Sequence, residues 1–204
     1  QLANALYPLI NEAKPLEDIL GNFQNAYQEA YLHMMKTKIG LYETDVNDIV
    51  LIQELENILT LQEIDMTLFY RQLGNLFKPE NEVNFHTFCS LIESAFYTLN
   101  DLKVHQPAWE NWFQLYQNRL QNETFTPTER KQKMDAVNPK YVLRNYMAQL
   151  AIDEAEKGDF NLINQLFEML KNPYEEQPQF EKWYAKRPDW AKNKVGCSQL
   201  SCSS

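Results

Sequence analysis

Residues 138–160, NPKYVLRNYMAQLAIDEAEKGDF, constrain the fold more than any other stretch of the chain. Asn138 offers a side-chain acceptor for the free amides of a first helical turn, and Pro139 fixes φ where no amide partner is needed. Val142, Leu143, Tyr146, Met147 and Leu150 follow at helical spacing and give one apolar face. Gly158 supplies a left-handed residue to end that helix, and Asp159 can cap the next. The next helix carries Leu162, Ile163, Leu166, Phe167 and Leu170 and stops at Asn172-Pro173. The pattern predicts an antiparallel helical hairpin over about 139–171. It specifies a scaffold and no reaction.

The same periodicity runs through the rest of the chain. Residues 2–12 predict a short helix with Leu2, Leu6, Leu9 and Ile10 on one side. A second helix runs from Pro15 to about Ile39, stopped by Gly40, with an apolar face of Leu16, Ile19, Leu20, Phe23, Tyr27, Ala30, Tyr31 and Met34. A third starts near Asn47 or Asp48 and buries Ile49, Ile52, Leu55 and Leu59. Thr60-Leu-Gln-Glu63 reads as a capping box that restarts the chain as a fourth helix through Phe77. Helices over roughly 85–99 and 107–121 follow, the latter with a Trp109, Trp112, Phe113 and Tyr116 seam. Spacing makes that seam core and not a ligand platform. Thr126-Pro-Thr-Glu129 is another capping box. Only five glycines occur in 204 residues, and no useful period-2 run appears. The fold class is therefore all-α: an irregular multi-helix bundle with the hairpin and an extended C-terminal tail.

Several function classes are excluded. The formal charge of -9 leaves no basic stripe for a nucleic-acid partner. No apolar run approaches the ~20 residues that span a bilayer, so no membrane partner is expected. The N-terminal QLANALYPLI lacks a basic flank and an initiator Met, so the chain is expected to begin inside a longer protein. Asp45-Val-Asn-Asp48 fails as a calcium loop because Ile49 and Val50 sit where an oxygen ligand and a Gly are required. Glu29 and His33 are one turn apart, but a di-iron bundle needs Glu-x-x-His on two helices, and neither copy exists. Phosphate-binding glycine loops and the kinase signatures are absent from the sequence. No metal site, catalytic set or cofactor-binding set is predicted within these residues.

The tail breaks the pattern. Lys186-Arg-Pro-Asp-Trp-Ala-Lys192 leads to Gly196-Cys197 and then to Cys202-Ser-Ser. Three cysteines in a chain this long do not make a disulfide framework, and they point to a reducing, cytoplasmic setting. A thiol at Cys202, third from the end, is placed to pair reversibly with another sulfur, with Cys197 as a local rival partner. It fits equally a tolerated Cys on an idle tail. Cys89, beside Phe88, reads as buried and inert.

The 138–160 segment, Leu170-Lys-Asn-Pro-Tyr174, Arg187-Pro-Asp-Trp190 and Cys202-Ser-Ser204 together resemble the end of the selenoprotein O family. Its bacterial members carry Cys where animal members carry selenocysteine, and Cys202 matches that position. A weaker similarity extends through residues 16–77 and Trp109–Leu120. The resemblance implies a protein adenylyltransferase with a kinase-like core, which moves AMP from ATP onto Ser, Thr or Tyr hydroxyls of protein substrates with Mg or Mn. The residues for that chemistry belong to a preceding domain, so none carries over to this chain. Residues 1–14 would then be the trailing helix of the kinase-like domain, 15–173 a helical scaffolding and regulatory domain packed on it, and 174–204 the tail. The resemblance also implies that Cys202 pairs with a core cysteine as a redox latch. The alternative is a free-standing helical interaction module without catalytic activity.

Overall fold

A computed structural model describes residues 1–194, 196 and 197, with Leu99 described by its backbone alone. Ten α-helices follow in order: α1 (Leu2–Ile10), α2 (Lys14–Lys38), α3 (Asp48–Thr60), α4 (Met66–Asn75), α5 (Phe85–Ile92), α6 (Leu99–Val104), α7 (Gln106–Leu120), α8 (Pro127–Val137), α9 (Asn145–Ala155) and α10 (Asn161–Lys171). Short 3-10 turns occupy Glu93–Ala95, Pro178–Trp183 and Asp189–Ala191. No β-strand occurs among the described residues; one antiparallel bridge joins Ile64 to Phe96. The all-α class holds.

Two cores divide the chain. The larger is built on α7, whose Trp109, Trp112 and Tyr116 are fully buried among Phe69, Phe77, Phe88 and Phe96. A buried indole or phenol group is stabilised by a hydrogen-bond partner for its polar end, which Trp109 Nε1 lacks here. Trp112 Nε1 donates to the Leu51 carbonyl of α3 at 3.0 Å, and the Tyr116 hydroxyl donates to the Ile39 carbonyl at the end of α2 at 2.6 Å. Trp112 and Tyr116 stack at 4.9 Å, as the i, i+4 spacing allows.

Gly40 ends α2 as its position predicts, with φ of 76° and the Leu41 amide bonded back to the Lys36 carbonyl at 2.9 Å. Its missing side chain also admits α8: a Cβ here would lie 2.7 Å from Met134 Sδ and 2.9 Å from Arg130 Cγ. Leu41, directly after it, is buried in the same core.

The smaller core joins α9 and α10 through Met147, Ala151, Leu166 and Met169, closed by Tyr141, Ala191 and Cys197. Gly158, with φ of 86°, makes the turn between them, and Asp159 Oδ1 accepts the Asn161 amide at 2.9 Å. The hairpin is therefore present, but its first helix is shorter than the periodicity predicts. Residues 139–144 are not helical, and the chain bends at Lys140. Asn138 caps the end of α8 and does not start α9. The amides of Lys140 and Tyr141 both donate to the Pro173 carbonyl, at 2.8 and 3.0 Å, which offers this segment a tertiary alternative to helical bonds. Leu143 is 53% exposed as a result.

Three smaller differences have similar causes. Thr60 is the last residue of α3 and donates to the Asn57 carbonyl, so it caps nothing. Asp65 caps α4 instead, accepting the Leu68 amide at 3.0 Å, while Glu63 is held by Arg187 and Lys192. On α3 the buried stripe is Leu51, Ile52, Leu55, Ile58 and Leu59, with Ile49 half exposed. The expected 85–99 helix breaks after Ile92 into the 3-10 turn, because the Ala95 carbonyl and Phe96 turn aside to meet Asp65 and Ile64. The Thr126–Glu129 capping box forms with both reciprocal bonds.

The two cores meet through a strap formed by residues 177–194. Tyr184 packs against both cores, the Lys186 ammonium donates to the Phe96 carbonyl, and the Trp190 ring meets Tyr146 edge-on at 6.1 Å. Leu166 is 4% exposed in the smaller core. Leu166→Ala is expected to cost about 2–5 kcal/mol in urea melts, whereas Leu143→Ala stays within about 0.5 kcal/mol of the parent. Equal losses for both would show that the 139–144 segment is packed as a helix after all.

Candidate functional site

A buried set of charged groups lies where α2, α3 and α7 meet. Asp48 is buried at the start of α3. Its carboxylate accepts from Arg119 Nε at 2.6 Å and from Lys36 Nζ at 2.8 Å. Arg119 also donates to Glu123 at 2.9 Å and to the Glu43 carbonyl at 2.7 Å. Glu123 accepts the amides of Tyr42 and Glu43. Burial alone would raise the Asp48 carboxyl, but the bonds from Arg119 and Lys36 outweigh it and hold the group below the ordinary carboxylate range. These bonds pin the loop between α2 and α3 against α7. The cluster is a structural clamp and not an acid–base pair, because the carboxylate is engaged from both sides by cations. Among the described residues no group of three or more His, Cys, Asp or Glu is arranged to hold a metal ion.

The structure describes one of the two predicted redox candidates, Cys197. Cys202 lies outside the described residues. Cys197 is 4% exposed in the smaller core, tucked in behind Gly196, whose φ of 83° makes the turn. A Cβ on Gly196 would meet Gln149 Oε1 at 2.3 Å. Cys89 is partly buried on α5, and burial, with Glu110 adding, pushes its thiol up to about 11. The Arg187-Pro-Asp-Trp190 motif is the firmest part of the strap: Arg187 pairs with Glu63 at 2.5 Å and lies over the Tyr97 ring at 5.2 Å. Glu63, held first by Lys192 and then by Arg187, stays below the usual carboxylate range.

The largest departure from an ordinary surface is on α1 and the first half of α2. Leu2, Leu6, Leu9 and Ile10 of α1 are exposed, Leu9 at 81%. Ile19, Leu20, Phe23 and Tyr27 of α2 are exposed too, Phe23 at 64%. Phe23, Tyr27 and Tyr31 stack in a ladder along α2, with ring centroids 6.2 and 6.0 Å apart. The sequence pattern places these residues on the apolar faces of two successive helices, and the structure leaves most of them bare. Large exposed apolar side chains gathered in this way are the usual sign of an interface.

These features correspond to a known protein family. A family model described as "Protein adenylyltransferase SelO" matches residues 1–171. The chain belongs to the SelO family. A protein nucleotidyltransferase YdiU of Flavobacterium johnsoniae is 48% identical over 205 residues, covering all of this chain and 39% of the relative. Proteins of the same name from Rhodopirellula baltica and Aromatoleum aromaticum are 43% and 39% identical, again over the whole chain and 39% and 38% of their own lengths. The SelO-family chain thus spans about two fifths of the relatives it matches. No helix among its described residues is long and apolar enough to cross a membrane.

The buried clamp generates a pH-resolved expectation. A depressed folded-state pKa contributes stability that is fully present above the unfolded value of about 4 and is lost as pH falls through the folded value. Asp48→Asn, which leaves Lys36 and Arg119 without their carboxylate, is expected to lower stability by about 3 kcal/mol at pH 7. The gap between parent and variant should close progressively in melts below about pH 4. A gap independent of pH would mean that packing, and not charge, sets the cost.

Proposed function

We propose that this chain is the helical scaffolding and regulatory portion of a longer, cytoplasmic protein adenylyltransferase, one that transfers AMP from ATP, with Mg or Mn, to Ser, Thr or Tyr hydroxyls of proteins. The catalytic residues belong to a kinase-like core in the rest of that protein. The observation that carries this reading is the bare apolar face of α1 and α2 on a chain that spans 39% of a relative named a protein nucleotidyltransferase. The absent core is the occupant of that face, and α1, over residues 1–14, is its trailing helix. In support, the sequence holds no glycine-rich phosphate loop and no Lys–carboxylate set for nucleotide and metal. Cys202 supplies the regulatory part: its thiol and a core thiol together lose two electrons and two protons to an oxidant and close a disulfide that latches the tail.

Three measurements test this reading. MgATP titrated into this chain should give no heat of binding, whereas the full-length protein binds saturably. Leu9→Asp with Phe23→Asp should cut AMP transfer by the full-length protein at least about tenfold while changing the melting of this chain little, because both side chains are mostly exposed and Phe23 meets only the Tyr27 ring on its own helix. AMP transfer unaffected by the pair would remove the face from the interface. Non-reducing peptide maps of the oxidised full-length protein should contain a cross-link from Cys202 that disappears in Cys202→Ser; a free Cys202 under oxidant ends the latch.

A further inference from the structure

Where the aromatic ladder of α2 ends, the surface dips into a cavity of about 510 Å³ between α2, α3, α4 and the Asn138-Pro139 corner. That volume falls within the range of small-molecule sites. Its walls are mostly apolar, and three of the chain's six methionines, Met34, Met35 and Met66, contribute to them. Unbranched thioether chains repack around flexible guests more readily than branched residues do.

Against this apolar lining stands one cation. The Lys38 ammonium lies over the Tyr70 ring, 4.6 Å from its centroid, and no carboxylate lies within ion-pair distance of it among the described residues. The Lys38 carbonyl accepts from Asn138 Nδ2 at 2.8 Å, which ties the cavity corner to the end of α2. The Tyr70 hydroxyl is buried without a hydrogen-bond partner in the protein. The carboxylate that does line the cavity, Glu56, is engaged by the Tyr31 hydroxyl. Tyr31 precedes Lys38 by two helical turns, about 10 Å along α2. Glu56 makes no ion pair with Lys38 among the described residues, although both lie near Tyr70. Burial lowers the Lys38 pKa, with no acidic neighbour acting against it.

We propose that this cavity binds a small carboxylate with a flexible apolar body of medium chain length, its head paired with Lys38 and its chain lying among Met34, Met35, Leu59 and Met66. The ammonium gains the counter-ion it lacks. The methionine walls gain contacts that open solvent does not provide. The proposal holds whether or not the α1–α2 face seats a kinase-like core.

Calorimetric titration of octanoate into the full-length protein tests it. Saturable binding is expected with a Kd below about 1 mM, and octanamide, of the same length but uncharged, should bind at least about tenfold more weakly. Lys38→Met, which keeps the length and removes the charge, should lose binding by a similar factor, while Lys38→Arg retains it; the melting of each variant confirms that it is folded. Failure of the folded parent to take up octanoate overturns the proposal, whether the site has no affinity or another part of the protein fills it. Octanamide binding as tightly as octanoate, or an unaltered Kd in Lys38→Met, overturns it too.

Discussion

The larger core depends on two of the three polar tips that α7 buries; the third, Trp109 Nε1, is left without a partner. A helix carrying two tryptophans and a tyrosine toward its partners gains a large apolar term, but burial strands the indole N–H and phenol O–H unless backbone acceptors meet them. Trp112 finds one on α3, and Tyr116 finds one at the end of α2. Each bond fixes the rotation of α7 against another element as well as its distance. The loop between α2 and α3 must then pass close to α7, where Arg119 gathers Asp48, Glu123 and the Glu43 carbonyl. The buried charges are thus a consequence of the aromatic packing. They hold the connection that it requires.

A second set of bonds fastens the smaller core to the larger. Arg71 of α4 donates to the carbonyls of Asp135 and Asn138, at 2.9 and 3.0 Å, and to Glu176 at 2.9 Å. Lys140 bridges Glu176 and Glu181 at 2.6 Å each. Burial works against the Lys140 charge, but both carboxylates outweigh it and raise its pKa. This arrangement makes the 138–144 segment a non-helical connector from which α9 departs.

Features whose partners are close in sequence were legible, and those decided from a distance were not. The Thr126–Glu129 box and the stops at Gly40 and Gly158 involve local bonds, and they formed as their residues predict. Thr60–Glu63 is spelled almost identically, yet Glu63 is taken by Arg187 and Lys192 from the far end of the chain, and Asp65 caps the helix instead. Residues 139–144 have helical spacing, but the Pro173 carbonyl offers their amides another partner. The apolar stripe of α2 posed a different problem. Periodicity reports that a face is to be covered and is silent on whether the cover belongs to the same domain. The same limit hid Lys38, which reads in sequence as one of the basic residues that favour a helix C-terminus, though the structure sets it at the edge of a cavity.

The strap over residues 177–194 also imposes an order on assembly. The larger core is nearly complete in the chain before these residues are synthesised, whereas the smaller one still lacks Ala191 and Cys197. The joints through Tyr184, Lys186, Arg187 and Trp190 follow those of Arg71 and Arg144 and become available only at the end of translation. Elements that emerge first can collapse first. Closure of the strap is then a late event, and because Arg187 and Lys192 reach Glu63 near the surface, ionic strength tunes it.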